Sequence, residues 1–237
     1  MDTMLSAITS AELQGWTALV AGLATAILAL LKYFDFRGKR ERAAASGAAF
    51  AATVDALASK DDVRQLAAAI LLRRFFDRET EQGGKDAPYA KEAVGVMAAI
   101  LRGTPRGTLQ KLLADGLAYA PTLVEVDLQG CNLQNAYLGE RPDRKPDFSH
   151  ADFFEADLSG ASLQRATALS AVFYRATLRG TVLRGADLQG ADFREADLEG
   201  ANFRDAKLAH ARFDHAKNVP PEVENLLGDD GRVTALV

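Results

Sequence analysis

The chain has one cysteine, Cys131, in 237 residues. A single thiol excludes a disulfide framework and fits a reducing compartment. Charge of either sign is not in excess, with a formal net charge of −4. That balance argues against a basic nucleic-acid surface and against a strongly acidic mimic of one. There is one tryptophan, Trp16, and no Lys or Arg before Lys32. No glycine loop of the phosphate-binding kind occurs, although glycine is common. What the chain does have is one long uncharged run near its start and a strict short-period repeat in its second half.

The uncharged run is GWTALVAGLATAILALL, residues 15–31. At about 1.5 Å rise per residue, roughly 20 residues cross a hydrocarbon core of about 30 Å. With Tyr33 and Phe34 beyond Lys32, residues 15–34 are expected to form one transmembrane helix. Trp16 and Tyr33 stand near its ends, where amphipathic rings favour the membrane interface. A cleaved signal peptide would want a positive start, and this start carries Asp2 and Glu12. The run meets Lys32, Arg37, Lys39, Arg40 and Arg42 instead, a stop-transfer and positive-inside signal. Residues 1–14 are therefore expected outside, and everything after residue 34 in the cytoplasm of an inner (plasma) membrane protein. Ala18, Gly22 and Ala26 share one helix face, and small residues at that spacing allow homo-oligomeric packing in lipid.

Residues 35–120 read as a helical region. Phe50, Val54 and Leu57 recur at helical spacing. Asp61 or Asp62 is placed to cap a helix carrying Val63, Leu66, Ile70 and Leu71 as its packing stripe. Residues 81–88 are a loop by composition. A third helix starts near Tyr89 and ends at Gly103 and Pro105, and a fourth starts at Thr108 and closes before Pro121.

From Val126 to His215 the chain repeats every five residues, as in ADLQG (186–190), ADFRE (191–195), ADLEG (196–200) and ANFRD (201–205). The third place is Leu or Phe in 16 of 18 pentads and the first is Ala in 13. A period of five is neither the strand's two nor the helix's 3.6. A short strand followed by a corner satisfies it. Places one and three then point inward together, place two points out, and places four and five turn the chain. One pentad cannot bury its own apolar pair, so pentads must stack as a solenoid. Phe153, Phe173, Phe193 and Phe213 recur every 20 residues, as do Leu158, Leu178 and Leu198. Four pentads per coil place each set in one column, with coils about 4.8 Å apart.

This pattern resembles the pentapeptide-repeat family, whose consensus is A(D/N)LXX. The resemblance implies a mainly β fold, a right-handed four-sided β-helix, here over residues 121–219. Residues 220–237, with Pro220 and Pro221, read as a C-terminal cap and tail. Two pentads depart from the consensus, 141–145 (RPDRK) and 166–170 (ATALS). The first is too polar to face inward, and whether it is a coil face or an outward loop stays open.

Chemistry is sparse. His150, His210 and His215 all fall at place five, outward, without the i, i+4 pairing of a helical metal site. Cys131 falls at place one, inward, where a thiol fills space. No nucleophile, base and orienter arrangement is visible. The chain reads as a non-enzyme, with no catalytic residue, metal or cofactor. The outward surface says more. Phe154 and Tyr174 share place four one coil apart, Val172 lies outward on the same face, and Leu169 sits across the corner. An exposed apolar cluster marks a contact site, to be covered by the chain's own helices or by a protein partner. Arg184 and Arg204 also stack, but Glu199 and Asp205 are interleaved with them, which suits a mixed-charge face. The expected role is a membrane-anchored scaffold that recruits a cytoplasmic protein. The alternatives are a stress or defence effector whose membrane helices assemble, and a DNA-mimicking topoisomerase regulator, as some members of the resembled family are. The outward arginines weigh against the last, and no nucleic acid partner is expected.

Overall fold

The computed structural model describes Lys32, Arg37, Glu41 and residues 44–77 and 89–233. The chain divides into two units, Met1–Gly47 and Ala48–Val237. In the first, Lys32, Arg37 and Glu41 are helical and exposed. Arg37 donates to Glu41 one turn on, at 2.9 Å. The expected transmembrane helix, together with Trp16, Lys39 and Arg40, lies outside the described residues apart from Lys32. So does the 81–88 loop. Among the described residues, no helix is long and apolar enough to cross a membrane.

The second unit opens with helical residues 48–57. Three helices follow: α1, Asp62–Leu72; α2, Ala90–Gly103; and α3, Thr108–Leu117. Asp61 caps α1, its carboxylate accepting from the Val63 and Arg64 amides at 2.9 and 3.3 Å. A 3-10 turn, Arg73–Phe76, buries Phe75 and Phe76. The Phe75 ring meets Phe50 edge-on at 5.2 Å, and Phe50 stacks on Tyr89 at 5.1 Å.

The packing face of α1 differs from the expected stripe. Ala68, Ala69 and Leu72 are its buried residues. Val63, Ile70 and Leu71 face solvent, 75, 54 and 44 % exposed. The helix is apolar on both sides, and the small side chains win the inward face because they allow closer approach to α3 and the 3-10 turn.

From residue 126 the chain winds as a parallel solenoid. Asp152 bridges Val172, Val172 bridges Asp192, and Asp192 bridges Arg212, each step 20 residues. Three other columns step likewise, from Asp157, Ser162 and Thr167. The coil is four-sided. At each corner the first-place amide donates to the preceding third-place carbonyl, as Ala156 does to Phe153 at 3.0 Å. Place five carries positive φ except at Glu140 and Lys145, beside and within the irregular pentad 141–145: Glu155, Arg175 and His215 stand at 53, 58 and 59° and Gly190 at 70°. That is the turn which needs a left-handed third residue.

The first coil is longer than the rest. Asp127, Asn132 and Tyr137 pair 25 residues ahead, with Asp152, Asp157 and Ser162. The surplus is residues 141–145, which bulge out as a loop closed by an Arg141–Arg144 bridge. The insertion is itself five residues long, so it leaves the sequence frame unbroken. The other irregular pentad, 166–170, is an ordinary face. Thr167 bridges Asp147 and Asp187, and Ala168 is fully buried at place three.

Inside, Phe153, Phe173, Phe193 and Phe213 stack at 4.8, 4.8 and 4.9 Å, the first three nearly parallel. Thr181 replaces Ala at place one, and its buried hydroxyl donates to the Leu158 carbonyl at 2.8 Å.

Both ends of the stack are covered. The helices close the first coil. The Asn132 amide donates to the Leu101 carbonyl at 3.1 Å, a carbonyl that the end of α2 leaves unpaired. The Tyr137 amide donates to Asp115 at 2.7 Å. The buried Gln110 side chain donates to the Asn132 and Gln134 carbonyls at 3.0 and 3.1 Å. At the far end, a short turn of helix, α4 (Pro221–Glu224), precedes an antiparallel return. Arg232 bridges Arg212, and the Phe213 amide donates to the Gly231 carbonyl at 2.8 Å. Sheet edges left open invite pairing with other chains, and these elements occupy them.

Candidate protein-binding face

The place-two carboxylates fold back on their own corners. Asp152 accepts from the Phe154 amide at 2.9 Å and Asp192 from the Arg194 amide at 3.1 Å, the Asx-turn bond that stabilises such bends. This fixes the direction of Phe154 and Arg194 at place four, and the 20-residue register sets Tyr174 between them, although Val172 offers it no such bond. One corner column therefore carries Phe154, Tyr174 and Arg194 in register.

Phe154 and Tyr174 are half-buried, with ring centroids 5.6 Å apart and planes tilted by 34°. Val172 and Leu169 are half-buried as well. Val172 lies on the same face, two residues before Tyr174, and Leu169 at the corner before that face. The carbonyls of Leu169, Val172 and Tyr174 accept from the coil beneath at 2.8, 2.7 and 3.1 Å, so the backbone under the patch is rigid. Of the four residues, Phe154 and Tyr174 form the ring contact.

Charged groups frame the rings. The Tyr174 hydroxyl donates to Glu195 at 2.9 Å, and Arg175 donates to the other Glu195 oxygen at 2.8 Å. Arg175 also lies 3.9 Å from Glu155. Place five of this column thus alternates Glu155, Arg175, Glu195. The Arg175 and Arg194 guanidiniums sit 4.9 and 5.3 Å from the Tyr174 ring centre, within cation–π reach. Arg194 is held by Asp192 through contacts of 2.6 and 2.8 Å. The bond to Glu195 raises the Tyr174 phenol above its ordinary range. The bonds from Arg175 and then Tyr174 hold the Glu195 carboxyl below its own. These framing residues went unremarked in the sequence, although their spacing of 20 was readable there.

The helices do not reach this patch through any hydrogen bond among the described residues. Their bonds to the solenoid end on the first coil and its loop, at Asn132, Gln134, Tyr137 and Arg144. On the other face, Arg184 pairs with Asp205 at 3.2 Å and Arg179 with Asp197 at 2.7 Å, a mixed-charge surface. His150, His210 and His215 occupy left-handed corner positions at 59, 63 and 59°. Among the described residues, no group of His, Cys, Asp or Glu is placed to hold a metal ion. Cys131 is buried, and burial pushes its thiol up to about 11. Its sulfur contacts the Ala98 carbonyl at 3.4 Å, inside the seam between α2 and the first coil.

A four-sided parallel coil with a five-residue unit, apolar inside and Asx-turned at its corners, defines a β-solenoid of pentapeptide repeats. Residues 147–185 and 182–217 match the family model for pentapeptide repeats, in eight copies. This part of the chain is a pentapeptide-repeat domain. Among solved structures, a pentapeptide repeat protein from the Arabidopsis thaliana thylakoid lumen is 24 % identical, covering 53 % of this chain and 82 % of that one, with a TM-score of 0.36. QnrB1, a plasmid-mediated fluoroquinolone resistance protein, is 21 % identical over 40 % of this chain and 55 % of its own, with a TM-score of 0.29. HetL of Nostoc sp. strain PCC 7120, a pentapeptide repeat protein involved in heterocyst differentiation regulation, is 25 % identical over 47 % of this chain and 57 % of its own, with a TM-score of 0.20. The chain thus spans little more than half the length of the last two. No curated protein matches it.

Proposed function

We propose that this chain is a membrane-anchored scaffold whose solenoid recruits a protein in the cytoplasm through the Phe154–Tyr174 face. The observation that carries the reading is an aromatic pair half-exposed on an outer corner, where the repeat otherwise places polar side chains. Tyr and Arg together are the residues that anchor protein interfaces. The ions around the rings are already paired with one another. What the face offers a partner is therefore apolar area, worth about 25 cal/mol per Å² buried. Anchoring rests on the uncharged 15–31 run and the basic cluster behind it. The charge of the coils opposes a DNA-like role. Residues 126–217 carry 14 Asp and Glu against 12 Lys and Arg, far from the uniform negative charge of a duplex.

The test is a photo-crosslinking side chain at position 174 of the full-length chain in cells. A discrete crosslinked protein, lost when Phe154→Ala is added, supports recruitment. In the chain without the crosslinker, Tyr174→Asp is expected to abolish pull-down of that same protein while leaving the melting temperature within about 2 °C, as surface changes do. Crosslinks confined to the chain itself, with a fall in melting temperature for Tyr174→Asp, would show that the chain covers its own patch and would sink the scaffold reading.

A further inference from the structure

Every arginine from Arg165 to Arg194 lies within 4 Å of a carboxylate. The other end of the solenoid breaks that rule. Arg73, Arg141, Arg144 and Lys145 gather around Tyr119, and none of them meets a carboxylate in an ion pair among the described residues. The Arg73 guanidinium lies 3.7 Å from the centre of the Tyr119 ring, and that of Arg141 lies 4.4 Å from it. Arg141 donates to the Tyr119 hydroxyl at 3.0 Å, while its Nε is buried without a partner. Arg144 donates to the Tyr119 carbonyl and, at 3.0 Å, to that of Ala120. Three of these side chains come from the inserted loop, and the fourth, Arg73, from the turn after α1. The insertion thus lengthens the first coil and brings cations against the helical cap.

Arg73, Arg144 and Lys145 line one open cavity of about 710 Å³, with Phe76, Pro121 and Leu123 as an apolar wall. Three carboxylates also line it. Asp147 is committed to the Ser149 amide and hydroxyl at 2.9 and 2.6 Å. Asp77 has a partner of its own. Asp143 stands exposed on the loop. Like charges held together around one ring are costly unless an anion joins them. Guanidinium forks match the paired oxygens of phosphate as they do those of a carboxylate, and a phosphate monoester brings about −1.5 to −2 charge for several cations to share. The cavity lies in the size range of small-molecule sites and exceeds what inorganic phosphate fills.

We propose that this cleft binds a phosphate ester. Arg73, Arg144 and Lys145 hold the phosphate, and the apolar wall takes the organic part. A soluble ester and a lipid headgroup share that chemistry. The full-length chain in nonionic detergent is titrated with phenyl phosphate, followed by phosphorus NMR line broadening. Micelles doped with phosphatidic acid or with phosphatidylcholine are then added as competitors. Wild type is expected to bind phenyl phosphate. Arg73→Gln and Lys145→Glu are each expected to weaken binding by roughly tenfold, the loss of one charge-assisted hydrogen bond. Asp143→Asn is expected to tighten it. Displacement by phosphatidic acid alone identifies a lipid headgroup as the source; displacement by neither lipid identifies a soluble ester. Lys145 is exposed, so Lys145→Glu keeps the test valid should Arg73→Gln disturb the fold. Absence of binding to phenyl phosphate and phosphatidic acid alike, or binding unchanged in both variants, overturns the proposal.

Discussion

Phe193 shows how one residue serves the whole stack. Its ring lies between Phe173 at 4.8 Å and Phe213 at 4.9 Å, with no exposed surface. Removing it empties a slot that neighbours on a hydrogen-bonded coil cannot close. Phe193→Ala is expected to cost about 3–5 kcal/mol in denaturant unfolding. Phe193→Leu is expected to cost far less, because the adjoining column already holds Leu158, Leu178 and Leu198, all buried. Charge at place two adds a pH dependence. Burial acts to raise Asp187, Asp192 and Asp197, but hydrogen bonds from Gln189 and Lys207, from Arg194, and from Asn218 and Arg179 outweigh it and hold all three low. A carboxyl depressed in the folded state stabilises fully above its unfolded pKa, about 3.9, and that contribution is lost as pH falls through the folded value. Thermal stability is therefore expected to be flat from pH 7 to about 5 and to drop below about 4. A melting curve unchanged at pH 3 would contradict these bonds.

At the scale of elements, the repeat was readable because every coil buries the same two places of five. The frame predicted columns of Phe and Leu, and the coil bridges realise them at 20-residue steps. The polarity of 141–145 already spoke against an inward face there, but the same regularity hid that these residues are an addition to the coil, since a five-residue insertion keeps the frame intact. The facing of α1 was hidden for another reason. Val63, Ile70 and Leu71 outweigh Ala68 and Ala69 in hydrophobicity, yet only tertiary contact decides between two apolar sides. The N-terminal cap was not legible at all, because it depends on single polar atoms. Gln110 reads as a surface residue and is 1 % exposed. Gln110→Ala leaves the Asn132 and Gln134 carbonyls unpaired in a buried seam and is expected to cost about 1–3 kcal/mol. Hydrogen exchange locates that loss. The Asn132 and Leu133 amides should exchange faster, while the Phe193 amide, three coils on, should hold its protection. Uniform loosening of all coils would mean that the cap and the stack form one cooperative unit.

For the whole molecule, the candidate face was partly legible: Phe154, Tyr174, Val172 and Leu169 stood out as apolar residues at outward places, whereas the ions that frame them emerged only in three dimensions. Under the scaffold proposal, which partners the solenoid could meet depends on which side of a membrane it would occupy. No Lys or Arg precedes Lys32, and five, Lys32 included, fall within residues 32–42. Lys and Arg flanking a spanning helix are retained on the cytoplasmic side. The single thiol agrees, since Cys131 gains nothing from an oxidising compartment. A fluorescent protein that matures only in the cytoplasm, fused after Val237, is expected to light cells, and alkaline phosphatase at the same junction is expected to stay inactive. Moving the charge tests the cause. Replacing Arg37, Lys39, Arg40 and Arg42 by Gln, while adding Lys at positions 3 and 6, is expected to invert the two reporter signals. Active phosphatase on the unaltered chain would place the solenoid outside and remove the Phe154–Tyr174 face from any cytoplasmic partner. Reporters indifferent to the charge swap, with the chain soluble after lysis, would show that residues 15–34 do not span a membrane.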